Sequence, residues 1–198
     1  SLVKMIDKIN SLKPDIVLIA GDLIDVYLEP VLEKNMLNEL KNIKSTYGTF
    51  FTLGNHDIYG RKAAILTETL RNDAGTIVLR DEKILLNNEI YIAGRDNFSQ
   101  KPIKEILAGK DDKPVILIQH TPDTVDETIE NEVFLQVSGH THKGQMFPGR
   151  IFTKKIFKID YGHEKIENTN IIVSSGYGTW GPPIRIGSQS EIVIIKIK

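Results

Sequence analysis

The chain has 198 residues, 40% of them hydrophobic and 26% charged, with no cysteine and a formal net charge of −1. That balance suits one globular domain and gives no strong signal for a surface that coats nucleic acid. The missing cysteines exclude disulfides and thiolate metal sites, no apolar run approaches the ~18 residues of a spanning helix, and no signal peptide opens the sequence.

Residues 1–10 begin directly in a helical pattern, with Leu2, Met5, Ile6 and Ile9 on one face. With no initiating Met and no strand ahead of this helix, the chain is expected to be a single 1–198 domain that is N-terminally truncated. DIVLIA (15–20) is a continuous apolar run and predicts a strand buried on both faces. Residues 29–45 carry Leu32, Met36, Leu40 and Ile43 at helical spacing. TFFTL (49–53) predicts a second buried strand, and 61–73 a further helix. This alternation predicts βαβ units and a largely parallel sheet. Residues 76–94 are strand-rich with polar breaks, as hairpins are. KPVILIQ (113–119) and VFLQVSG (133–139) predict two more buried strands. The closing stretches, NIIVSSG and SEIVIIKIK, read entirely as strand. Two sheets with helices outside them would house this pattern.

Four of the predicted strands end in a shared design: Gly21-Asp22, then Gly54-Asn55-His56-Asp57, then His120, then His140 with His142. In open α/β sheets, sites form where the carboxyl ends of strands meet. Glycine lets the backbone turn sharply there and leaves the polar neighbour facing the crevice. Convergence of Asp22, Asn55, His56, His120, His140 and His142 would assemble oxygen and imidazole donors without sulfur, a set suited to Mn, Fe, Zn, Co or Ni. Three histidines and a carboxylate exceed what one catalytic zinc takes from protein. A second metal sharing the carboxylate accounts for the surplus. Two metals about 3.5–4 Å apart clamp the attacking and leaving oxygens of an in-line displacement and lower the pKa of a bridging water to about 7.

GDLID, GNHD, the lone His120 after a strand, and GHTH resemble the successive blocks of the calcineurin-like metallophosphoesterase superfamily, over nearly the whole chain. GHTHKGQ followed by SSGYGTWGPPIRIGSQSEIVII resembles the narrower bacterial YkuE/YaeI-like phosphoesterase branch. The resemblance implies a four-layer α/β/β/α sandwich of two mixed sheets with a binuclear site. It implies Asp22 as the bridging carboxylate. Asn55, His120 and His140 would complete one metal's ligands, and His142 would serve the other. His56 corresponds to a histidine that is not a ligand but contacts the phosphate and protonates the leaving oxygen. Asp57 would orient it. The Asp-x-His block with which the family opens has no counterpart before Asp22, so the first strand is expected to be missing. One metal position should then be well held and the His142 position empty or weakly occupied.

Outside these blocks, Asp25 is expected to cap or close a loop, and His163 to lie on the surface. GYGTWG (176–181) matches G-x-G-x-x-G, but Pro182 and Pro183 follow where a dinucleotide site needs a helix. Trp180 would pack near the metal mouth or line the substrate groove. Lys143 is either a point charge for a substrate phosphate or a solvated lysine. Arg185 is either a phosphate contact or a structural pair. The expected activity is metal-dependent hydrolysis of phosphate esters, phosphodiesters in particular, by in-line attack of a metal-bridging hydroxide, and weak in this chain. A non-catalytic scaffold that binds a partner is the alternative. Membrane association is expected only through an anchor upstream of residue 1, and compartment and oligomeric state are open.

Overall fold

The computed structural model describes residues 2–25, 27–59 and 62–197. Helix α1 (Leu2–Leu12) buries Ile6 and Ile9 on its apolar face. Strand β1 (Val17–Ala20) pairs in parallel with β2 (Thr49–Thr52), Val17 opposite Thr49. The helix expected over 29–45 breaks in two. Helix α2 (Glu29–Glu33) stops, Asn35 turns left-handed at φ 50°, and a 3-10 helix continues over Met36–Asn42. Asparagine tolerates that conformation, and after the break Leu37 and Leu40 are both buried.

The single-turn α3 (Asn55–Ile58) follows β2, and α4 (Ala63–Asp73) leads to β3 (Ile77–Val78). β1, β2 and β3 form a three-stranded sheet that is parallel throughout. The second sheet begins with the hairpin of β4 (Glu82–Leu86) and β5 (Ile90–Arg95). Asn87 and Asn88 both sit at positive φ in its three-residue connection, where the Glu89 N–H donates to the Leu86 carbonyl oxygen at 2.9 Å. After α5 (Ile103–Ile106), β6 (Val115–Gln119), α6 (Val125–Glu130) and β7 (Leu135–Ser138), the chain enters α7 (Gly149–Ile156), then β8 (Gly162–Ile166) and β9 (Thr169–Val173). The six strands lie in the order β4-β5-β6-β7-β9-β8, parallel from β5 to β9 and antiparallel at both margins.

The sheets face each other. Phe50, Ile92, Ile116, Ile118 and Leu135 fill the space between them, with Leu18 and Ala20 packed alongside. On the outer face of the small sheet, Leu37, Leu40, Leu66 and Leu70 cover Phe51 and Val78. On the outer face of the large sheet, Ile103 and Ile106 of α5 cover Tyr91, Ala93 and Leu117, while Val125 of α6 packs with Ile171 and Val173. This is the helix–sheet–sheet–helix sandwich expected from the sequence. Among the described residues no helix is long and apolar enough to cross a membrane.

The closing segment departs from expectation. SEIVIIKIK forms no strand in its described part. Its alternation suits a ladder, but a ladder needs a sheet edge beside it. Instead Ile195 packs against the core between the sheets, while Ile194 and Ile197 face outward.

Candidate metal centre and its surroundings

The parallel pairs β1–β2 and β6–β7 point their carboxyl ends the same way, and β1 packs across both β6 and β7. All four strand-end motifs therefore meet in one place. The first two are locked by Asp57. Its carboxylate is fully buried and accepts hydrogen bonds from four backbone N–H groups: Asp22 at 2.6 Å, Gly54 at 2.9 Å, Leu23 at 3.0 Å and Ile24 at 3.2 Å. Burial pushes its pKa up to about 6, and the N–H donors oppose that rise. Glycine is demanded at this junction. A Cβ on Gly54 would lie 2.1 Å from Asp22 Oδ1, and one on Gly21 would lie 2.5 Å from the Gly54 nitrogen.

With the loops pinned, Asp22 Oδ1 accepts from the His56 N–H at 2.9 Å, and Oδ2 lies 2.9 Å from His120 Nε2. His120 Nε2 lies 3.1 Å from His140 Nδ1. His120 is 2% exposed, and its Nδ1 sits 2.6 Å from the Ala20 carbonyl oxygen. A carbonyl only accepts, so Nδ1 carries a proton and Nε2 is the ring atom that faces the cluster. Burial of Asp22 works to raise its pKa, but the His120 bond and the nearby histidines hold it below the usual carboxylate range. Burial first, and then His120, lowers His140 to about 4, so its ring is neutral at pH 7.

These donors fit a divalent metal. One ligand atom from each of Asp22, His120 and His140 lies within 4.8 Å of the other two. Ligands bonded at about 2.1 Å and about 90° apart stand about 3 Å from each other, which is the spacing of the two shorter contacts. The 2.9 Å approach of Asp22 Oδ2 and His120 Nε2 calls for a positive charge between them, which a proton or a metal ion supplies. Asn55 adds independent support, because its Oδ1 is buried with no hydrogen-bond partner. A buried carbonyl oxygen left without a donor is costly unless something positive meets it.

His142 stands outside this cluster. Burial and then the Arg185 charge lower its pKa to about 4. Arg185 Nη2 lies 3.5 Å from its Nδ1. The turn that carries it is strained: His140, His142, Lys143 and Gln145 all have positive φ. The Gln145 side chain clips this turn to the next loop, donating to the Trp180 carbonyl at 2.8 Å and accepting from the Trp180 N–H at 3.0 Å.

Some sequence expectations need correction. Asp57 was expected to orient His56, yet its carboxylate is committed to the four N–H groups. Asp25 stands there instead, its carbonyl oxygen 2.8 Å and its carboxylate 3.3 Å from His56 Nδ1. Arg185 was left between phosphate contact and structural pairing. The guanidinium bonds the carbonyl oxygens of His142, Ser175, Gly176 and Gly178, so it braces the His142 loop. Lys143 Nζ sits 4.0 Å above the Tyr161 ring. His163 is exposed in β8 and bonds Asn170. The parts that pattern reading missed, Gln145 and Glu191, have no periodic signature. Glu191 is identified only by its distant partners, Tyr161, Ser174 and Ser175.

The family model for calcineurin-like phosphoesterases matches residues 1–144 of this chain. The chain belongs to that family, whose members are metal-dependent phosphoester hydrolases and whose chemistry implies divalent ions. An uncharacterized metallophosphoesterase of Campylobacter jejuni is 36% identical over 206 residues, covering 100% of this chain and 54% of the relative. The uncharacterized metallophosphoesterase YkuE of Bacillus subtilis is 30% identical, covering 96% of this chain and 70% of its own length. The chain thus spans about half the length of the first relative and about two-thirds of the second. A solved crystal structure, 15% identical, superposes with a TM-score of 0.58 over 86% of this chain and 83% of that one, a likeness of fold alone.

Proposed function

We propose that this chain hydrolyses phosphate esters, phosphodiesters in particular, at a metal position formed by Asp22, Asn55, His120 and His140. The observation that carries the reading is the meeting of Asp22 Oδ2, His120 Nε2 and His140 Nδ1, together with the buried, partnerless oxygen of Asn55, the residue before His56. A bound divalent ion would polarise a phosphoryl oxygen and acidify water at that point. Asp22 keeps Oδ2 aimed inward because its other oxygen is tied to the His56 N–H. His120 turns Nδ1 to the Ala20 carbonyl, which leaves Nε2 as the ring atom that would meet the metal. His56 turns Nδ1 to Asp25, so when the ring is doubly protonated Nε2 is the atom that would give a proton to the leaving oxygen. His142, with Asp22, is the candidate for a second metal position. Lys143 and Trp180 border the same mouth and are the candidate substrate contacts, while Asp57 and Arg185 act as positioning residues.

The test combines metal analysis with hydrolysis of bis-p-nitrophenyl phosphate after loading with manganese, zinc or nickel. His56→Ala should retain metal and lose about 10²–10⁴-fold in turnover, the usual contribution of a general acid. If this variant loses its metal, His56 is a ligand and the assignment of roles fails. If the wild-type protein binds metal stoichiometrically and turns over no ester, the non-catalytic scaffold takes the place of the hydrolase.

A further inference from the structure

Helix α7 is amphipathic the wrong way round for a helix packed on a core. None of its residues is buried. At 100° per residue, Ile151, Lys155, Phe152 and Ile156 share one arc of about 140°. The apolar members of that arc are 52%, 62% and 71% exposed. The opposite side holds the polar contacts: Thr153 Oγ1 donates to Asp160 at 3.0 Å, and Arg150 Nε lies 3.5 Å from the same carboxylate. A helix in a globular domain normally turns its apolar stripe inward. Here the stripe faces out and is extended by a neighbouring loop. Phe147, 73% exposed, bonds through its N–H to the Ile186 carbonyl, and Ile186 is itself exposed. Trp180, also exposed, is clamped to the same turn by Gln145.

The sequence segment that carries this ridge has charges of one sign only. From His140 to Ile159 there are five cations, Lys143, Arg150, Lys154, Lys155 and Lys158, and no Asp or Glu, in a chain of net charge −1. Arg150 and Lys158 are paired with Asp160 and Asp126. Lys154 and Lys155 project beside the apolar arc, exposed and without an acidic partner among the described residues.

We infer that this ridge, α7 together with the loop around Trp180, docks on an anionic lipid bilayer. Projecting aliphatic and aromatic side chains flanked by lysines match the interfacial region of a membrane, where apolar groups enter the acyl boundary and cations meet lipid phosphates. Exposed lysines can lay their stems along the apolar surface while their heads reach the phosphates. Phe157, which follows α7, packs edge-on against the His140 ring at 5.9 Å, so docking would hold the metal cluster close to the lipid surface.

The test needs no turnover, so it stands apart from the hydrolase reading. Trp180 is the chain's only tryptophan and reports directly. The full chain is mixed with phosphatidylcholine vesicles with and without phosphatidylglycerol, and sedimentation and tryptophan emission are followed. Binding to the anionic vesicles alone is expected, with a blue shift and with loss at high salt. Lys154→Ala with Lys155→Ala should weaken binding about 25-fold, at about fivefold per cation. Phe152→Ser with Ile156→Ser should abolish the blue shift. Both pairs lie on the exposed side, so thermal melting should match the wild type. Absence of vesicle binding, or binding unchanged in both double variants, overturns the inference. Self-association lost in Phe152→Ser with Ile156→Ser, without vesicle binding, overturns it in favour of a second copy of the chain.

Discussion

The two sides of the candidate site are built differently. Asp22, Asn55, His120 and His140 sit where strands end, and backbone ladders and the buried Asp57 carboxylate hold them. His142, α7 and the Trp180 loop are held largely by side chains: Gln145, Arg185, Thr153 and Glu191. On the first side the strand leading to His120 is buried at every residue. The second is strained at three non-glycine positions, His142, Lys143 and Gln145, and it carries exposed apolar groups. A metal position needs ligands that do not move, which strand ends supply. A surface that meets large or variable partners needs projecting groups, which loops and short helices supply.

The largest effect should come from Asp57→Ala, which attacks the rigid side at its knot. Four buried N–H groups lose their acceptor at about 1–3 kcal/mol for each left unsatisfied, so a loss on the order of 4 kcal/mol is expected after relaxation. Urea denaturation measures it, and metal retention should fall in the same variant. A midpoint near that of the wild type would mean that the knot does not hold the strand ends. Asp22→Ala sharpens the contrast, because it removes a ligand and leaves the ladder intact. Metal affinity by calorimetry should drop at least about 100-fold, beyond what losing a supporting neighbour costs.

Arg185→Met tests the other side. Backbone carbonyls of His142, Ser175, Gly176 and Gly178 lose their donor, but they lie close enough to water to be resolvated. The expected loss is about 1–2 kcal/mol, with turnover down about tenfold and metal at the strand ends retained. Loss of that metal would show that the two sides are not independent. A further test concerns pH. His140 and His142 are lowered to about 4 in the fold, burial being the main cause, against about 6.5 for a free histidine. Between those values the unfolded chain binds more protons than the folded one, so stability falls as pH drops from 6.5 toward 4 and levels off above 6.5. Melting of the metal-free protein from pH 7 to pH 5 should show this slope, and His140→Ala should flatten it.

The strand-end residues were legible because their signals are local. An apolar run predicts a buried strand, a glycine predicts the turn, and the polar residue that follows must face the crevice. β1, β2, β6 and β7 all formed where the runs lie, and Asp22, His120 and His140 met as their positions implied. What depended on groups distant in sequence was hidden. That Asp57 ties two loops together, that Asp25 and not Asp57 stands beside His56, and that Arg185 braces His142 are decided by atoms as many as 43 residues apart. The break at Asn35 and the unpaired tail are of the same kind, since propensity and alternation permit a helix or a strand but only packing partners complete one. The outward-facing stripe of α7 shows the limit most clearly. Its 3.6-residue spacing is written in the sequence, and spacing says which residues share a face. Which way that face points is settled only when Thr153 and Arg150 find Asp160 and turn the apolar side away from the core.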